Sequence, residues 1–212
     1  MIPENSIKLK SKRKNKMSYI ALNQNIKYIA GFIAIEFHRM RMEYLHLDKE
    51  TAGLTVPHLH KLLYYLQAWH MVQFGRDKLV FEEAPSSRCG GPVYDTIIDV
   101  FKGVDPYIPL KGEDEIKLFQ PEYKGVPTYE IDEFIEKNLR LSADQILFLD
   151  WFFDYHKTMS YDRLVFMTHC DEPWSETRSK SNPFKDSDKK ISLDTMYEYY
   201  TDMLKGKLRG RY

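Results

Sequence analysis

Cysteine is almost missing: Cys89 and Cys170 are the only two in 212 residues. A disulfide framework is thereby excluded, and a reducing compartment is expected. Neither cysteine belongs to a C-x-x-C pair, and no His-Glu-x-x-His run occurs. No metal-ligating spacing is therefore present, and neither a metal nor a cofactor is expected. Net charge is missing as well: 31 basic residues balance 31 acidic ones, so no global field gathers nucleic acid or an anionic membrane. No apolar run approaches the ~20 residues that span a bilayer. The basic start is followed by Tyr19-Ile20-Ala21-Leu22 and then polar residues, which is no secretory signal. Fixed-period repeats and low-complexity tracts are absent too. These absences lead to the expectation of a soluble, cytoplasmic protein.

What the chain does have is apolar and aromatic side chains at helical spacing. With 43% hydrophobic residues in 212, it can bury one sizeable core but not two comfortable ones. The most apolar stretch reads as a helix between Thr55 and Gly75. The Thr55 hydroxyl suits an N-cap, Pro57 loses nothing in the first turn, and Gly75 suits a stop. Leu59, Leu62, Leu63 and Leu66 repeat at helical spacing, and Tyr64, Tyr65, Ala68, Trp69, Met71 and Val72 fill most other positions. A helix apolar nearly all round is one that other elements surround. Its polar side chains, His60, Lys61, Gln67, His70 and Gln73, either form a narrow exposed strip or are satisfied inside the core.

The remaining elements follow from local rules. A helix from Asn25 to about Leu45 puts Ile26, Ile29, Ile33 and Phe37 on one face. After the central helix, Leu79-Val80-Phe81 suits a brief strand, and Arg88-Cys89-Gly90-Gly91-Pro92 a turn. Pro92 fits the first turn of a second helix carrying Val93, Ile97, Val100 and Phe101. Ile116 with Leu118, and Tyr129 with Ile131, alternate as strands do, so a small β-hairpin is expected within 111–137. Ser142 and Gln145 form a capping box, with Leu141 and Ile146 at staple spacing, and Leu147, Trp151 and Tyr155 lead a core-facing stripe. Ser160 opens a helix that breaks before Pro173. Ser192 caps the last helix, with Ile191 and Met196 at staple spacing.

The expected fold is mainly α: a single compact helical domain, 25–204, around a central buried helix, with a small β-hairpin element. Residues 1–24 read as a basic, disordered tail, with Lys8, Lys10, Lys12, Arg13, Lys14 and Lys16 against only Glu4. Residues 205–212 form a second basic tail.

Two groups of residues carry a resemblance. The first is Leu59-His60-Lys61-Leu62-Leu63-Tyr64-Tyr65, Gln67-Ala68-Trp69-His70, Gly75, Gly91-Pro92-Val93 and Phe101-Lys102-Gly103. The second is Leu164-Val165, Thr168-His169, Glu172-Pro173-Trp174 and Arg178. In that order they resemble the Panacea domain of SocA-like and GepA-like antitoxins, over roughly Asn25 to Leu204. Where the family usually has an aromatic pair before its glycine-proline-valine turn, this chain has Arg88 and Gly90. The segment from Lys111 to Lys137 has no placeable counterpart.

The resemblance implies an antitoxin, not an enzyme, that neutralises a toxin encoded by an adjacent gene through direct protein contact. It also implies a protease as a further partner, since at least one family member delivers its toxin to one. Taking the two motifs as one patch, the expected partner-binding residues are Arg88, Tyr94, His169, Glu172 and Trp174, with Gly91 and Pro92 as the structural turn. Two other classes stand beside this one. An enzyme would draw on His60, His70, His169, Asp171 and Glu172 as an acid-base or metal cluster. A DNA-binding autoregulator would need a basic recognition helix, and no helix here is basic on one face, so DNA is not an expected partner.

Overall fold

The structure, a computed structural model, describes residues 25–110, 139–179, 182 and 184–207. In chain order these form α1 (Ile26–Leu45), α2 (Val56–Phe74), β1 (Ser86–Arg88), β2 (Gly91–Val93), α3 (Asp95–Val100), α4 (Ala143–His156), α5 (Tyr161–Cys170), α6 (Glu172–Arg178) and α7 (Leu193–Leu204). The fold is mainly α with one small hairpin, as the pattern implies. The expected hairpin within 111–137 and both tails apart from 205–207 lie outside the described residues.

α2 is the axis. Every residue from His58 to Met71 is buried, because α1, α4, α5, α7 and β2 all pack on it. Its start follows the local rules, with the Thr55 hydroxyl accepting from the His58 amide at 3.3 Å. The other caps behave likewise. Asn25 accepts from the Lys27 amide, Ser142 and Gln145 close a reciprocal box, and Ser160 and Ser192 accept from Arg163 and Thr195. Ile191 and Met196, flanking the last cap, are fully buried. One contiguous core runs from Ile26 to Tyr200.

Three expectations are corrected. Leu79-Val80-Phe81 is not a strand: the Gln67 side chain takes the Val80 and Phe81 amides at 2.9 and 3.4 Å and donates to the Phe81 carbonyl at 3.1 Å. The sheet forms further on, with Ser86 opposite Val93 and Arg88 opposite Gly91. Pro92 lies in β2 rather than in a helix, because the Lys61 ammonium holds its carbonyl and His60 holds the next-but-one amide. The helix therefore starts three residues later, at Asp95. Finally, the stripe of Leu147, Trp151 and Tyr155 is not the deepest face of α4: Trp151 and Tyr155 pack against the core only partly buried, Trp151 edge-on to Trp69 at 6.2 Å, and Leu147 lies outside it. Phe148, Leu149, Phe152 and Phe153 are buried, while Leu147 is 51% exposed.

The entry to α2 depends on a close backbone approach. Leu110 donates to the Leu54 carbonyl at 2.8 Å, and a Cβ on Gly53 would stand 1.9 Å from the Leu110 carbonyl oxygen. Backbone cannot swing aside as a side chain does. Gly53→Ala is therefore expected to destabilise by roughly 2–3 kcal/mol, in the overpacking range, while Gly90→Ala, whose Cβ would meet nothing closer than 4.0 Å, leaves the thermal midpoint nearly unchanged. Thermal unfolding of the two variants checks this pair.

Candidate functional site

The polar side chains of α2 are satisfied core groups, and together they clasp the connector that follows the helix. The His70 Nδ1–H donates to the Lys78 carbonyl at 2.7 Å. Gln67 engages Val80 and Phe81. Lys61 Nζ donates to the Pro92 carbonyl at 3.1 Å, and His60 Nδ1 accepts from the Tyr94 amide at 3.1 Å. A connector without regular structure thus has its backbone groups paired from within the core, as buried amides and carbonyls require.

The densest point is Gly91. Its φ of 106° lies in the region open mainly to glycine. A Cβ there would stand 2.5 Å from Lys61 Cε, 3.0 Å from Lys61 Nζ and 3.1 Å from Thr168 Oγ1. Three sequence-distant segments therefore meet at one atom's width: α2, the hairpin and α5. Lys61 is 1% exposed, and burial pulls its pKa down to about 7, with nearby Cys89 opposing. Burial likewise holds His60 at about 3, the charges of Lys61 and Arg88 adding to the effect.

Lys61 makes stability pH-dependent in a defined direction. Between pH 7 and 10.5 the unfolded chain keeps a proton on this amine that the folded chain has released, so stability rises with pH there. Below pH 7 the amine is charged in both states, and the full burial penalty, roughly 3–5 kcal/mol, is present. Lys61→Met is expected to stabilise at pH 6.5 and to lose that advantage by pH 10.5. Chemical denaturation at the two pH values gives the difference.

Outside this point lies an elbow between α5 and α6. Asp171 ends α5, with its amide on the Met167 carbonyl, and then turns extended at ψ 129° before Pro173. Its carboxylate is fully buried and accepts from the hydroxyls of Tyr65 at 3.0 Å, Tyr199 at 3.2 Å and Tyr200. Burial, and then the Asp171 charge, push the Tyr200 hydroxyl well above its ordinary range. The elbow is therefore fastened to α2 and α7. It presents His169 and Trp174 as a stacked pair, 4.1 Å between centroids at 16°.

Trp174 Nε1 donates to the Arg88 carbonyl at 3.1 Å. Arg178, 6% exposed, donates to the Ser87 carbonyl at 2.6 Å and to the Asn182 and Lys185 carbonyls, so it ties the hairpin to the strand-like segment ahead of α7. That segment pairs back through Lys190 opposite Ser86. Arg88 lies over it, 3.2 Å from Asp188, 3.6 Å from Asp186 and 3.8 Å from Asp95. Burial, with the Lys61 charge next, lowers the His169 pKa.

Of the five residues expected in the patch, Arg88, His169 and Trp174 come together where the hairpin meets the elbow, Glu172 stands at the start of α6, and all four are partly exposed. Tyr94 does not join them. It is fully buried, edge-on to Phe81 and stacked near His60, because its amide is drawn to α2, so it supports the patch from beneath. Gly91 and Pro92 are not the turn itself: Cys89 and Gly90 make it, and Gly91 and Pro92 follow in β2, opposite Arg88 and Ser87. Four of the five residues proposed for an acid-base cluster are engaged apart from one another: His60 with Tyr94, His70 with Lys78, Asp171 with tyrosines and His169 against Trp174. Among the described residues no group of three or more His, Cys, Asp or Glu is placed to hold a metal. Sequence reasoning flagged Lys61 only as a polar residue in an apolar helix. It missed Asp186, Asp188 and Lys190, which sit in an irregular segment without a pattern.

These elements make a helical scaffold in which the hairpin is hydrogen-bonded to α2 and α6. The family model for the SocA-like antitoxin, Panacea domain, matches residues 59–175, and the chain belongs to that family. The matched span begins on α2, takes in the hairpin and ends one residue beyond Trp174. No curated protein and no solved structure matches the chain. Among the described residues no helix is long and apolar enough to cross a membrane.

Proposed function

We propose that the protein neutralises a cognate toxin, the product of an adjacent gene, by direct contact in the cytoplasm, through the face formed by Arg88, His169, Glu172 and Trp174. One observation carries this reading. The segments that mark the family converge on the β1–β2 hairpin and are held there by hydrogen bonds, buried from Lys61 to Pro92 and part-buried from Trp174 to Arg88, while the outer side chains stay partly exposed. A surface held rigid before binding loses little entropy on association. Arginine and tryptophan are also among the side chains that dominate interface energetics. The ion pairs of Arg88 are exposed and individually weak, so the guanidinium can exchange them for a partner's carboxylate.

Co-expression with the adjacent gene tests the proposal. The expected result is that the neighbour arrests growth alone, that this chain restores growth, and that the two proteins co-purify. A harmless neighbour, or rescue without a complex, contradicts it.

A further inference from the structure

We infer that the outer face of α4 is a docking surface for the basic segment Lys8–Lys16 of the same chain. Leu147, Asp150, Trp151, Asp154 and Tyr155 recur at spacings of three and four, so they share one helix face. Ile146 and Leu147 are 48% and 51% exposed. Trp151 and Tyr155 are half-buried, with rings parallel within 15° and centroids 5.8 Å apart. An aromatic pair beside two carboxylates is the chemistry that takes up lysine and arginine, through cation–π contact and charge pairing. α4 contains Asp144, Asp150 and Asp154 and no lysine or arginine. Two neighbouring cations are already in place: Lys157 pairs with Asp154 at 2.6 Å, and Arg163 acts on Tyr155 electrostatically.

The occupant follows from where the chain enters. Ile29 and Phe32 of α1 line one apolar cavity with Leu141, Gln145 and Leu149, while Phe37 packs on Phe152 and Phe153. Ile29, in the first turn of α1, thus lies beside Leu141 and Gln145 at the start of α4, and Asn25 stands near that start. The eight residues 17–24 can span up to about 26 Å, against about 21 Å for the whole of α4. The tether therefore reaches. Lys8, Lys10, Lys12, Arg13, Lys14 and Lys16 against Glu4 supply the complementary charge. A tethered segment acts at an effective concentration near millimolar, which an untethered partner does not match. A second copy is disfavoured, because two-fold pairing of this face would oppose Asp150 and Asp154 to their own copies.

This inference stands apart from the toxin reading, and amide NMR on the protein alone tests it. The spectra to compare are those of the full chain, a variant beginning at Met17 and the full-length Asp150→Lys/Asp154→Lys double variant. The expected result is that truncation shifts the amides of residues 146–155, that the double variant loses the same contact, and that high salt abolishes the difference between full and truncated chains. A synthetic peptide of residues 1–22 should restore the shifts in the truncated chain, with about tenfold weaker binding to a truncated double variant. Identical α4 amides in full and truncated chains overturn the proposal. So does a full chain that sediments as a dimer and becomes monomeric on Leu147→Asp, since a second copy would then be the occupant.

Discussion

Gly91→Ala is expected to lower stability by roughly 2–5 kcal/mol. Two effects add. The φ of 106° is strained for any residue with a Cβ, and the new methyl group would overlap Lys61 Cε at 2.5 Å. Lysine is long and mobile on a surface, but this one is enclosed and anchored on the Pro92 carbonyl. Moving it breaks that bond and presses on Thr168. The hairpin, α2 and α5 are then forced apart together, so both folding and the outer patch suffer. Denaturant titration of Gly91→Ala beside Gly90→Ala measures the effect. Equal stability of the two variants would contradict the packing described around Gly91. Gly91→Ala/Lys61→Met keeps the strained φ but replaces the anchored ammonium with a flexible thioether. Measured against Lys61→Met alone, it should lose less than Gly91→Ala loses against wild type, whereas strain at φ alone predicts equal losses in the two backgrounds.

Acid is the second large effect. His58 and His60 are held near a pKa of about 3, and His70 and His156 near about 4, burial being the main cause in each. In the unfolded chain a histidine titrates near 6.5. Below that value the unfolded state takes up protons that the folded state refuses, so stability falls as pH falls. Four such groups give a slope approaching roughly 5 kcal/mol per pH unit between pH 6 and 4, or about 8 kcal/mol by pH 5. Against a typical total of about 5–15 kcal/mol, that removes half of the stability or more by pH 5. The thermal midpoint should drop steeply from pH 6.5 to 5. Replacing His156, whose Nδ1–H reaches only the Phe152 carbonyl of its own helix, by leucine should flatten the slope by about a quarter. A midpoint that stays level to pH 5 would contradict the buried neutral histidines.

Much of this architecture was legible in the sequence because caps and periodicity are local. Thr55, Ser142, Ser160 and Ser192 each accept from the amide expected of them, and α1 and α2 end close to where Leu45 and Gly75 suggested. What failed was tertiary. Leu79-Val80-Phe81 has strand composition, yet Gln67, twelve or more residues away, claims its amides before another strand can. Pro92 satisfies the rule for a first helical turn, but Lys61 holds its carbonyl and keeps the chain extended. α4 is apolar on two sides, and periodicity could not say that Phe148 and Phe152 go deepest while Leu147 is left exposed. The meeting of the two motifs was partly legible. Arg88, His169 and Trp174, drawn together by a family resemblance, are neighbours, whereas the depth of Tyr94 depends on its amide bonding to His60.

The most direct test of the proposed role is calorimetric binding of the purified toxin to the wild-type protein and to His169→Ala and Trp174→Ala variants, with each variant's thermal midpoint measured alongside. Both side chains lie partly exposed, and Trp174 also fixes the hairpin through Arg88. The account predicts a loss of affinity of tenfold or more for His169→Ala with its midpoint within a few degrees of wild type, and a larger loss for Trp174→Ala. Affinity per folded molecule that stays at the wild-type value while the midpoint falls would contradict it, and would leave the stacked pair as a structural clamp only.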